Sequence, residues 1–182
     1  MKCIELMKEE HQNILRMLAV IRKKCYAILK GEPINVEDFY IIIDFVKNYA
    51  DRHHHGKEEN MLFNRMILEL GETAEKLVKH GMLVEHDTGR LYIQDLEEAL
   101  KRVEAGEDEA RVDVVANAIA YTQLMKRHIE KEDKVVYTYA EKNMQNATLD
   151  AINSECEAYE RSETARQAKE KYIPLLEELE SQ

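Results

Sequence analysis

His54-His55-Gly56-Lys57-Glu58-Glu59-Asn60-Met61-Leu62-Phe63 is echoed by His128-Ile129-Glu130-Lys131-Glu132-Asp133-Lys134-Val135-Val136-Tyr137. Each copy has a histidine, a carboxylate four residues on, a second acid beside it, and then an apolar-aromatic run. On a helix, positions i and i+4 share a face. Each copy can therefore aim an imidazole and a carboxylate at one point. Two such helices facing each other supply nitrogens and oxygens for a metal site, and a dinuclear one is the natural reading.

The flanking sequence supports long helices. The chain has 182 residues, with 45% hydrophobic and 34% charged, but only 6 Gly and 2 Pro. Helix breakers are scarce, and the length suits one domain with a real core. The net charge of -10 argues against a general basic surface for nucleic acid or anionic membrane. No apolar run approaches the roughly 20 residues that span a bilayer. The charged N-terminal stretch does not read as a signal peptide. Cys3, Cys25 and Cys156 are odd in number and widely spaced. They do not form a disulfide framework, and a reducing cytoplasm is the expected location.

Apolar periodicity predicts five helices, over about 4–29, 36–70, 74–104, 110–142 and 149–179. Gly31-Glu32-Pro33, Gly71-Glu72-Thr73 and Ala105-Gly106 separate the first four. Asn35 reads as an N-cap, Gly56 as a residue that loosens its turn, and His80-Gly81 as a break. Pro174 should kink or cut the last helix. Short connections make neighbours antiparallel. The expected architecture is all-α: an up-down-up-down four-helix bundle over 1–146, with one further helix over 147–182 packed on it. Apolar stripes include Ile4, Met7, Ile14, Leu15, Leu18 and Ile21 on the first helix. On the fourth they include Ile119, Tyr121, Leu124, Met125, Val135, Val136 and Tyr139.

The histidines sort by these stripes. His11 lies between Met7 and Leu15 and points inward, where a lone histidine is usually a hydrogen-bonded core residue. His54 and Glu58 share one inward stripe, and His128 and Glu132 another. Isolated buried carboxylates are costly. Two edge ion pairs would answer this, but a metal neutralises both carboxylates together. His86 adds a donor from the third helix. The expected set is His11, His54, Glu58, His86, His128 and Glu132, more than one tetrahedral ion requires. His53, one residue off the stripe, is expected to face solvent. His55 is rotated about 100° from His54 and reaches the site edge as an extra or supporting group. His80 is expected at the surface or behind the ligands.

With these residues the chain resembles the hemerythrin-like (HHE cation-binding) family over about residues 5–145. The resemblance rests on Glu10-His11, on His54-His55-Gly56-Lys57-Glu58-Glu59 before Leu62-Phe63, on Met82-Leu83-Val84-Glu85-His86 before Gly89-Arg90, and on His128-Ile129-Glu130-Lys131-Glu132. It implies a four-helix bundle holding two iron ions bridged by carboxylates and an oxo or hydroxo group. It also implies dioxygen, nitric oxide or peroxide as the small ligand. The six residues named above match family ligand positions. The oxygen carriers place a His-x3-His pair on the third helix, whereas Met82 and Arg90 flank His86 here. They also use an aspartate five residues after the last histidine, the offset of Asp133, while Glu132 matches the wider pattern.

Imidazole and carboxylate donors suit iron, and zinc or manganese as well. The leading expectation is a diiron protein that binds or senses a small oxidant. The alternatives are an enzyme reducing peroxide or nitric oxide, an iron buffer, and a mononuclear zinc-binding helical protein. Tyr121 and Tyr139 are expected to pack, with hydrogen bonding to a bound oxygen ligand as their functional role. The charged C-terminal helix is the one candidate surface for a second copy or another protein.

Overall fold

A computed structural model describes residues 2–182. The described residues are helical almost throughout, in six continuous rods. α1 is Cys3–Leu29. α2 spans 36–70, α3 72–104 and α4 111–143, followed by α5 (Asn146–Glu160) and α6 (Glu163–Ser181). The first four form the bundle. α5 packs against α1 and the middle of α2, and α6 lies along α1 and α2.

Local chemistry explains the ends. The Asn35 side chain accepts from the Asp38 amide at 3.3 Å, which satisfies one of the free donors at the start of α2. Gly31, Gly71 and Gly106 close the first three helices with φ of 96°, 66° and 91°, a region in which only glycine is unstrained.

The C-terminal segment differs from expectation, because it folds as two helices rather than one. The chain turns at Arg161-Ser162, and the Ser162 hydroxyl caps α6 by accepting from the Ala165 amide. Pro174 lies inside α6 without ending it. Tyr172, Leu176 and Leu179 bury the same helix face on both sides of the proline, and that packing outweighs one lost backbone bond. Nor does His80-Gly81 break its helix, since a π-turn over Val78–Met82 carries α3 through.

π-Turns recur at the middle of the bundle: Val46–His55 and Glu58–Phe63 in α2, and Glu132–Val136 in α4. Each i→i+5 turn widens the helix and shifts the register of the residues beyond it. In α4 Val136 is inside as expected, and the shift turns Tyr137 and Ala140 inward beside it, leaving Val135 exposed and Tyr139 half-buried. An unbroken 3.6-residue period had placed Val135 and Tyr139 inside.

The core is divided. One apolar cluster gathers Ile14–Ile28 of α1 with Phe39–Ala50, Ile93–Leu100 and Val114–Ile129. The other gathers Cys3–Met7 with Met61–Met66, Val78, Met82 and Val136–Met144, and takes Ile152 and Cys156 from α5. Between them runs a polar layer. Met7 and Ile14 bracket His11, Ala50 and Met61 bracket His54 and Glu58, and Met125 and Val136 bracket His128 and Glu132.

Candidate metal centre

All six residues expected to form the site meet in this layer. His11, His54, Glu58, His86, His128 and Glu132 are at most 1% exposed. They form two overlapping groups. His55, Glu58, His86 and His128 each offer one atom within 4.8 Å of the others, and so do His11, His54, Glu58 and Glu132. Glu58 is common to both. His55, expected as an extra or supporting group, lies among the atoms that could hold an ion. Its ring stacks on His86 with centroids 3.8 Å apart.

Within the π-turn over 46–55, α2 is enclosed on several sides, and His53, His54 and His55 are all buried, each against a different neighbour. His53 meets Glu10 of α1 and Tyr159 of α5, His54 meets Glu10, and His55 stacks on His86 of α3. His53, expected in solvent, is 1% exposed and takes part in a second polar cluster. The signal that could have revealed this was Gly56 beside three successive histidines.

Each donor histidine is oriented by an acid behind it. Nδ1 of His11 meets Asp133 at 2.8 Å, His54 meets Glu10 at 3.0 Å, His55 meets Asp51 at 3.3 Å, His86 meets Glu59 at 2.7 Å and His128 meets Glu85 at 2.9 Å. An ionised carboxylate only accepts, so each Nδ1 carries a proton and each Nε2 faces the centre. Carboxylates in this position fix the tautomer and ring angle of metal-binding histidines. Sequence reasoning singles out none of the five acids as supports: four reach their histidine from another helix and only the fold makes those contacts, while Asp51 is an i, i+4 neighbour of His55.

The donor atoms themselves are unsatisfied. Nε2 of His54, Oε2 of Glu58 and both carboxylate oxygens of Glu132 are buried without a hydrogen-bond partner. Glu132 Oε1 approaches His128 Nε2 to 3.0 Å and His86 Nε2 to 3.7 Å, while Oε2 approaches His11 Nε2 to 3.3 Å. These contacts lack hydrogen-bond alignment. His86 and His128 also face each other Nε2 to Nε2 at 3.0 Å. With each Nδ1 already committed, such a pair needs either a proton or a metal ion between its nitrogens. The donor set thus fits metal ions and fits a packed hydrogen-bonded core poorly.

In the bare protein, protons do part of that balancing. Burial disfavours the cations of His11, His86 and His128. Even so, the acids around them lift His11 and His86 to about 9 and His128 to about 10. Burial and the adjacent Glu132 push Glu58 up to about 8. Burial also opposes the Glu132 anion, but His128, His11 and His86 hold it well below the usual carboxylate range. Burial and the neighbouring His11 bring His54 down to about 4.

Tyr137 completes the layer. Its hydroxyl donates to Glu58 Oε1 and lies 3.5 Å from His11 Nε2. Its ring stacks with His11 at 5.6 Å and 7°. Burial, reinforced by Glu58 and Glu132, raises its pKa well above that of a free phenol. Tyr139 is not at the centre. Tyr121 is buried with its hydroxyl unpartnered, and its contacts lie toward Gly89 and Met125. His80 is exposed.

Behind His54 is the second cluster. The Lys57 ammonium, 1% exposed, donates to Glu10 Oε1 and to Glu160 Oε1 at 2.8 Å. His53 Nε2 lies 2.9 Å from Glu10, and its Nδ1 lies 3.2 Å from the Tyr159 hydroxyl. Glu10, His53 and Glu160 could otherwise hold an ion, but Lys57 already supplies the positive charge among them.

Fold and site together define a helical bundle whose interior is built to bind cations. The family model of the hemerythrin HHE cation binding domain matches residues 3–140, which is most of the chain, and the protein belongs to that family. No curated protein and no solved structure matches it. Among the described residues, no helix is long and apolar enough to cross a membrane.

Proposed function

We propose that the chain is a non-haem diiron protein that binds or senses a small oxidant: dioxygen, nitric oxide or peroxide. The observation that carries this reading is the bridging arrangement of the two carboxylates. Glu58 belongs to both donor groups, and Glu132 turns one oxygen to His128 and the other to His11. A single ion would leave one of these groups without a cation.

His55, His86 and His128 would hold one ion, and His11 and His54 the other, with Glu58 and Glu132 between them. Iron in such a site supplies electrons and a coordination position for the oxidant. Tyr137 borders the group with two histidines, its hydroxyl 3.5 Å from His11 Nε2. The phenol donates its proton to Glu58 and would have to share that hydrogen bond with a small ligand bound there. The apolar clusters above and below the layer keep bulk water out. The acids behind the histidines hold the rings in place while the charge at the centre changes.

The Tyr137 hydroxyl beside Glu58 and His11 also suits a second reading, reduction of peroxide or nitric oxide, in which it would hydrogen-bond to the oxidant. The two are separated by one experiment. The protein is loaded anaerobically with ferrous iron, iron per chain is counted, and the visible spectrum is followed on admitting each oxidant. Two irons and bands that reverse on removing the ligand support binding or sensing. Continuous turnover with an added reductant supports the enzyme. One metal or none, with no new bands, overturns the diiron reading.

A further inference from the structure

Cys3 and Cys156 stand far apart in sequence, which argued against a disulfide framework, yet the fold sets them side by side. Cys3 opens α1, and Cys156 lies on the inner face of α5. Asn153, one turn before Cys156, accepts a hydrogen bond from the Cys3 amide at 2.8 Å. The two thiols hydrogen-bond to each other. Both are at most 2% exposed, in the apolar cluster that takes in α5, and the metal layer uses neither. Cys25 lies in the other apolar cluster, where burial raises its thiol to about 11.

The pair is polarised. The hydrogen bond from Cys3, helped by the field of the buried Lys57 ammonium, holds the Cys156 thiol below its ordinary range. The same hydrogen bond and burial push Cys3 above it. A thiol so lowered is a nucleophile, and a neutral thiol beside it is placed to resolve the product of its oxidation. Buried thiols react only when a path opens to them, and this junction has one. A partly open cavity of about 380 Å³ reaches it, with Cys3, Ile4, Glu141 and Asn153 in its wall. Cys3 is also the first residue of its helix, and helix ends fray. Opening of that turn withdraws Cys3 from Cys156 and admits a small oxidant between them.

We propose that Cys3 and Cys156 form a reversible dithiol–disulfide couple, a modification site for peroxide that fastens α5 to the start of α1. The Cys156 thiolate attacks one peroxide oxygen, the O–O bond breaks, and the leaving hydroxide takes up a proton as water. The Cys3 sulfur then attacks the sulfenic acid on Cys156. The S–O bond breaks, the second oxygen leaves as water with the Cys3 proton, and the S–S bond forms. Each sulfur loses one electron and peroxide gains two. A thiol reductant reverses the bond, as in the transient, redox-sensing disulfides of reducing compartments. The bond fixes α5 one turn before Tyr159 and Glu160, which reach His53 and Lys57. It requires no iron, so its failure and the failure of the diiron assignment are separately visible.

The test is exposure of the full 182-residue chain, stripped of metal, to a small excess of hydrogen peroxide, followed by thiol counting in denaturant and peptide mapping. Free thiols should fall from three to one, the survivor being Cys25, and one crosslinked peptide pair should carry Cys3 and Cys156. The thermal midpoint should rise by about 10 °C, since the bond closes a loop over most of the chain, and should return on adding dithiothreitol. In Cys3→Ser, dimedone should trap a sulfenic acid on Cys156. In Cys156→Ser, Cys3 should stay unlabelled. Mapping on the parent chain needs no variant, so a variant that fails to fold leaves the test standing. Three free thiols after peroxide, a bond that includes Cys25, or a bond between chains would overturn the proposal.

Discussion

The Tyr137 hydroxyl donates to Oε1 of Glu58, the carboxylate shared by both donor groups. One proton therefore sits between His11 and the carboxylate common to both groups. Tyr137→Phe leaves every donor in place but strands Glu58 Oε1. Metal content should be unchanged. Stability should fall by about 1–3 kcal/mol, the cost of a buried acceptor left unpaired, as read by urea denaturation. Release of the bound small ligand should become faster. If Tyr137→Phe behaves like the parent in both measurements, the hydrogen bond has no role at the site.

Glu58→Gln and Glu132→Gln should each lose most of the bound metal, because each removes a charge facing both donor groups. His55→Ala should behave differently, lowering metal from two ions per chain toward one, since His55 belongs to one group alone. Metal analysis after dialysis against a weak chelator separates the outcomes. Equal loss in all three variants would mean that the groups do not act as two positions.

Metal binding should release protons and tighten as pH rises. His11 and His86 at about 9, His128 at about 10 and Glu58 at about 8 are protonated at neutral pH in the bare protein, and a metal must displace those protons. The stability of chelator-treated protein should run the other way. For the three histidines the folded pKa lies above the unfolded value of 6.5. Their contribution is complete below pH 6.5 and is lost as pH rises through 9 to 10. Glu58, raised from 4.5 to about 8, adds a loss of the same sign between those values. Thermal midpoints across pH 6 to 10, with and without metal, test both statements. A bare protein whose stability is flat over that range would contradict them.

Lys57→Met should be strongly destabilising. It leaves Glu10 and Glu160 facing each other in a buried place without the ammonium that joins them, and breaking such an ion pair from one side costs about 3–5 kcal/mol. Glu10 also holds His54, and Glu160 ends α5, so the damage should show at two places. Amide exchange should quicken in α5, and metal affinity should drop. Adding Glu10→Gln should recover part of the stability but not the affinity. A surface-like effect below about 0.5 kcal/mol would show that Lys57 finds other partners.

Much of this protein is written in local pattern. Breaker positions and apolar stripes are enough to place α1 to α4 within a few residues. The i, i+4 pairs His54–Glu58 and His128–Glu132, with His11 and His86, already name six of the donors that meet in the polar layer. Local spacing carries this much because a helix converts sequence distance into direction by a constant rotation. Where that rotation changes, the pattern misleads. The π-turns at 46–55 and 132–136 bring His53 and His55 inside and exchange Tyr139 for Tyr137. Their i→i+5 bonds are held by packing on neighbouring helices and leave no period in the sequence. The acids behind His11, His54, His86 and His128 and the Lys57 cluster that reaches α5 were likewise decided only by tertiary structure. Each joins residues from separate helices, and no spacing along one chain segment encodes which faces of different helices will meet.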